Sequence, residues 1–218
     1  MGASLIGCAG PESTSTNVQM LWYGSTSDDT PTFGVTGVEV TARDANTNKP
    51  FAVDMSAAGA AGDQWQTAAW TAATVGSMLA STDPRGVTIS YRLRQGIDGP
   101  SAGAVLATAV LADLTETKEL SDTVTMTGTV LPSGAIGPVG GIPAKLRAAS
   151  DAGITTVLIP QGQGIAVDPV SGRRVPVAEL AAELGLDVVQ VASIQEALEY
   201  FSPGPPPVAP APSPPQSP

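Results

Sequence analysis

From Pro100 to Leu114 the sequence reads PSAGAVLATAVLADL, apolar nearly all round. A helix with that pattern has almost no solvent face and must be buried on most sides. The rest of the chain therefore has to enclose it. With 218 residues there is enough for one domain with a proper core and too little for two large ones. The candidate cover is legible along the chain. Alternation predicts strands at Phe33–Ala42 and Phe51–Ser56, separated by an Asn-rich turn over Asp44–Pro50. Helical spacing over Gly62–Leu79 aligns Trp65, Ala69, Ala72, Ala73 and Met78. Further strands are predicted at Val87–Leu93, Thr123–Leu131, Thr155–Ile159 and Asp187–Val191. A Gly/Pro-rich loop runs from Pro132 to Gly141, and a short helix from Pro143 ends at Gly153. Val177–Leu184 reads as a helix closed by Gly185, and Ser193 with Glu196 forms a capping box for the last helix.

Both ends differ in composition. Residues 1–31 are rich in Ser, Thr, Gly and Asp, with one apolar island at Met20–Tyr23, and read as a flexible N-terminal arm. The domain is expected over 32–202, and 203–218 as a disordered, polyproline-like tail. Leu5-Ile6-Gly7-Cys8 fits the pattern cleaved before a lipid-modified cysteine in bacterial lipoproteins. Only seven residues precede Cys8, none of them Lys or Arg, whereas a signal peptide needs a basic start and an apolar stretch of roughly 7–15 residues. The compartment stays open, cytoplasmic or exported.

What the chain lacks restricts its chemistry. It has no histidine and one cysteine, which removes Ser-His-Asp and Cys-His catalysis and metal sites built on imidazole or several thiolates. No metal site and no cofactor are expected. There is no Gly-Lys-Ser/Thr sequence, hence no P-loop. The net charge is −10, and no basic stretch tracks a phosphate backbone, so nucleic acid is not an expected partner. No apolar run reaches the roughly 18–20 residues of a membrane span. A general base must come from a carboxylate, a tyrosine or one of the lysines Lys49, Lys118 and Lys145.

Two constellations carry chemistry. In Asp98-Gly99-Pro100-Ser101-Ala102-Gly103, a serine sits where a loop turns into the apolar helix. Free N–H groups and the positive end of the helix dipole would stabilise an oxyanion there, and small neighbours admit a substrate backbone. An ordinary serine N-cap would look the same. In Gly140-Gly141-Ile142-Pro143-Ala144-Lys145, a lysine lies in the first turn of a predicted helix, where the dipole disfavours a cation. Desolvated there, it would have the lowered pKa that a general base needs. A surface lysine on an amphipathic helix is the plainer alternative, although Leu146, Ala148 and Ala149 turn this face inward.

The stretch from Gly96 to Pro160 resembles the proteolytic domain of Lon proteases, serine peptidases with a Ser–Lys dyad. The matching pieces are DGPSAG at 98–103, MTG at 126–128, VLP at 130–132, GGIPAK at 140–145, AGI at 152–154 and VLIP at 157–160. They fall in the family's order and spacing. Gly34–Val40 and the helix from Gly62 extend the likeness to about residues 32–201. The resemblance implies an α+β fold related to the second domain of ribosomal protein S5. It implies Ser101 as nucleophile, Lys145 as base, Thr127 as the hydroxyl supporting the lysine, and Asp98 as a loop carboxylate shaping the approach to the serine. Gly99, Pro100 and Ala102 would complete the oxyanion surroundings. Polypeptide substrates, a homo-oligomeric hexameric ring and a separate unfoldase are the partners that the resemblance implies, and without a P-loop the chain would work independently of ATP.

The chain also departs from the family. Ser90 and Arg92 stand on the strand where histidines are frequent, Thr129 follows MTG where an acidic residue is usual, and the AAA+ ATPase and N-terminal domains are missing. A non-catalytic binding module on the same fold is the main alternative. A small-molecule kinase is a distant third, since 98–103 offers too little glycine and serine for a phosphate loop.

Overall fold

The structure is a computed structural model that describes residues 15–25, 27–28, 30–44, 50–59, 61–83, 85–115, 117 and 119–202. The lipoprotein-like Leu5–Cys8 and the tail at 203–218 lie outside the described residues. A seven-stranded mixed sheet runs β11-β8-β5-β1-β2-β4-β3. Its strands are β1 (Thr16–Ser25), β2 (Pro31–Asp44), β3 (Ala52–Asp54), β4 (Val87–Leu93), β5 (Val124–Met126), β8 (Thr156–Pro160) and β11 (Asp187–Val191). Two small hairpins pair β6 (Thr129–Val130) with β7 (Ile136–Gly137), and β9 (Ile165–Val167) with β10 (Arg174–Pro176). Among the described residues five helices complete the fold: α1 (Asp63–Leu79), α2 (Gly103–Leu114), α3 (Ile142–Asp151), α4 (Val177–Leu184) and α5 (Ile194–Phe201).

The apolar helix occupies the centre, as its pattern demands: every residue of α2 from Gly103 to Asp113 is buried. The small residues of α1 let it lie close, and Gly76 meets Val110 where even a methyl would collide. Trp65 of α1 fills the adjoining space. Its ring stands edge-on to Tyr91 at 5.9 Å, and its indole N–H points to Met20 Sδ at 3.4 Å. The Tyr91 hydroxyl donates to the Ala69 carbonyl at 3.0 Å. This core holds α1, α2 and α5 on one face of the sheet; a second core packs α3 and α4 on the other. Strand periodicity feeds both. Val18 and Met20 of β1 enter the first core and Leu21 the second, while β8 sends Leu158 one way and Val157 and Ile159 the other.

One expectation is overturned. The flexible arm expected over 1–31 does not hold for Thr16–Ser25, which form the central strand β1, antiparallel to β2 and parallel to β5. Its sequence, TNVQMLWYGS, mixes polar residues among apolar ones, so composition alone disguises it. Two elements are also finer than the pattern showed. Pro100–Ala102 form a short 3-10 turn ahead of α2, and the strand read over Thr123–Leu131 breaks at Thr127–Gly128. β3 pairs in parallel with β4 rather than with β2.

Candidate active site

The break between β5 and β6 is what draws the two sequence constellations together. Gly128 N–H donates to the Ser101 carbonyl at 2.9 Å, and Ala104 N–H donates to the Gly128 carbonyl at 3.0 Å. The start of α2 is thereby laced to the end of β5. Gly103 lies against Val130, while Ala102 is buried beneath the turn at 3% exposure. Gly99 precedes the turn at φ 106°, ψ 151°, a conformation essentially confined to glycine. Pro100 supplies no N–H, and the N–H groups of Ser101 and Ala102 stand at the start of the turn, where helical geometry gives them no acceptor.

Lys145 approaches from the opposite face of the sheet on α3. That helix begins at Gly141, whose φ of 70° and close contact with the Tyr23 ring both require glycine. Lys145 is 2% exposed, and Nζ donates to Thr127 Oγ1 at 2.8 Å. Thr127 Oγ1 in turn lies 3.5 Å from the Ser101 carbonyl. Burial lowers the Lys145 pKa from 10.5 to about 8. Desolvation, one of the two causes that the sequence pattern brought forward, is the one responsible.

Ser101 and Lys145 line one cleft of about 280 Å³ with Asp98, Gly99, Pro100 and Tyr23. Thr127 lies buried behind the lysine. Asp98 plays a different structural part from its neighbours. Its Oδ1 accepts from Trp65 N–H at 3.0 Å and Gly99 N–H at 2.8 Å, joining the loop to the start of α1. Those backbone donors hold its carboxyl below the usual carboxylate range. The sequence reading missed Tyr23, which comes from β1, and the wall that Pro138 and Val139 form beside Gly140. The apolar island at Met20–Tyr23 was the signal that could have found the former. Thr129, met first as a departure from the family pattern, also lines the cleft. A second cleft between α1 and β6, lined by Ala68, Thr71 and Val130, shares Pro100 and Thr129 with it.

Residues 95–200 match the family described as the Lon protease (S16) C-terminal proteolytic domain. Over 105 residues the chain is 38% identical to a Lon protease of Lachnoclostridium phytofermentans. The aligned stretch is 47% of this chain and 12% of that relative, so the chain spans a small part of its length. The mixed sheet with its five helices agrees with the α+β fold of such a domain. Among the described residues no helix is long and apolar enough to cross a membrane.

Proposed function

We propose, from the match of residues 95–200 to the Lon proteolytic-domain family, that the chain is a serine endopeptidase acting on unfolded or flexible polypeptides through Ser101 and Lys145. The observation that carries this reading is the buried Lys145, its pKa brought down to about 8, in the same cleft as Ser101. A lysine neutral near physiological pH is a competent base; a solvated one is not.

The reaction then runs in two halves. Ser101 Oγ attacks the scissile carbonyl carbon while its proton passes to neutral Lys145 Nζ. The tetrahedral oxyanion is met by the N–H groups of Ser101 and Ala102 at the start of the Pro100–Ala102 turn. The carbon–nitrogen bond breaks as the ammonium returns its proton to the departing amine, leaving an ester on Ser101. Water attacks that ester, Lys145 takes the proton, and the serine oxygen leaves with it, restoring Ser101 and releasing the acid. Thr127 Oγ1 keeps Nζ aimed into the cleft throughout, and Asp98 fixes the loop that carries the serine.

No step consumes a nucleotide, and the chain contains no P-loop, so hydrolysis of short peptides by this chain is independent of ATP and magnesium. Assembly into a ring and service to a separate unfoldase extend the same reading. The deciding experiment is labelling with a fluorophosphonate, followed by peptide mass spectrometry. The adduct is expected on Ser101 and should disappear in Ser101→Ala along with hydrolysis of unfolded casein. Undiminished casein cleavage by Ser101→Ala would remove the dyad and favour a binding module.

A further inference from the structure

On its Tyr23 side the catalytic cleft adjoins a larger one, of about 430 Å³, that no step of the reaction above uses. Tyr23, Asp98 and Gly99 form the wall between them. Beyond that wall the lining is more polar than that of the cleft between α1 and β6, with which it shares Gln64. It presents the exposed carboxylate of Asp98, the exposed carboxamides of Gln64 and Gln95, the Thr32 hydroxyl, and the ring of Tyr23, which is 36% exposed. Among the described residues no lysine or arginine lines it, although Arg94 precedes Gln95.

These groups share one chemistry. A carboxylate, two amide oxygens and an aromatic face together satisfy an ammonium or a guanidinium: the oxygens accept its hydrogen bonds and the ring attracts the charge. An anion would face the Asp98 carboxylate, which already takes the backbone N–H of Trp65 at the start of α1. An apolar side chain has better company in the other cleft. The net charge of −10 further favours a cationic segment at the surface. We propose that this cleft is a subsite for a lysine or arginine side chain of the bound polypeptide, close to the bond cleaved at Ser101. The assignment rests on the peptidase reading. The Asp98 carboxylate is exposed and shared with backbone donors, so the selectivity is modest, on the order of fivefold.

The test uses internally quenched peptides identical except for one residue, set to Lys, Arg, norleucine, Gln or Glu at each position flanking the scissile bond. At one position Lys and Arg should exceed Glu in kcat/KM by about fivefold, and the advantage should shrink as salt rises from about 0.05 to 0.5 M. Gln95→Lys should bring the Lys-to-Glu ratio to one or below, and Gln95→Glu should widen it. Binding of the same peptides to Ser101→Ala, followed by fluorescence anisotropy, should rank them in the same order. Equal kcat/KM for Lys and Glu at every position, or a ratio unmoved by both Gln95 variants, overturns the subsite. If the parent cleaves none of the peptides while Ser101→Ala still binds the Lys peptide more tightly, the subsite stands and the peptidase reading falls.

Discussion

The amine of Lys145 is held by a neutral partner, Thr127 Oγ1 at 2.8 Å. A carboxylate at that place would have stabilised the ammonium form and raised its pKa. A hydroxyl orients the amine without holding its proton, so burial prevails and the pKa falls to about 8. Orientation and basicity are set by different groups.

The rate should follow the neutral fraction of Lys145. Pre-steady-state acylation is expected to rise through about pH 8 and then level off. No imidazole can contribute, since the chain has no histidine. Lys145→Arg should lose nearly all of the rate, because a guanidinium stays protonated. A stopped-flow series from pH 5 to 10 decides it; a Lys145→Arg protein that kept most of the rate would leave the lysine a purely electrostatic role.

The same burial carries a stability cost with a definite pH dependence. Below about pH 8 the folded protein must keep a charged amine out of water. Between about 8 and 10.5 the folded form has released the proton and the unfolded form still holds it, so stability should rise with pH across that window. Lys145→Met removes the penalty at similar volume. At pH 7 it should melt higher than the parent by a few degrees, about 2–4 °C for each kcal/mol in a chain of this size. That gain should shrink toward pH 10. Calorimetry at both pH values checks the sign.

Thr127→Val keeps the shape and removes the hydroxyl. Leaving a buried amine unpartnered forfeits about 1–3 kcal/mol, and the acylation rate should fall about tenfold to hundredfold as Nζ loses its aim. Thr127→Ser should recover most of the rate. Equal rates for Val and Ser would show that the hydrogen bond does not orient the base.

Asp98→Ala should act first on stability. It removes the acceptor at the start of α1, a loss of about 0.5–2 kcal/mol for a helix cap. With the Asp98 pKa lowered in the folded state, its contribution is present above its unfolded value of about 3.8 and is lost as pH falls through the folded one. The difference between parent and variant in urea titrations should therefore be smaller at pH 2.5 than at pH 7.

Ser101→Ala, in contrast, should leave stability nearly unchanged, within about 0.5 kcal/mol. The serine had the look of a helix cap in the sequence. In the fold, Gly99 holds the cap position of the turn and no side chain caps it. A parent and variant with superimposable denaturation curves and opposite activities would separate the hydroxyl's chemistry from its structure.

What could be read early was whatever short-range chemistry dictates. The apolar α2, the close of α4 at Gly185 and the Ser193 cap of α5 follow from local pattern. Even there the structure adjusts detail: Glu196 Oε2 accepts from Ala192 N–H at 2.8 Å, one residue upstream of the usual capping-box bond. The motifs of the site were legible because each demands particular residues over a few positions: Gly141 for a left-handed helix start, small residues around Ser101.

The linear sequence by itself determined the chemical inventory, a serine, a lysine and no imidazole, and the helices that carry them. Only the tertiary structure decided that Lys145 is buried and meets Thr127, that Thr16–Ser25 is the middle of the sheet, and that Tyr23 walls the cleft. Burial and contact between remote segments are properties of packing. A lysine's pKa depends on what excludes water from it, and those groups lie on other elements of the chain.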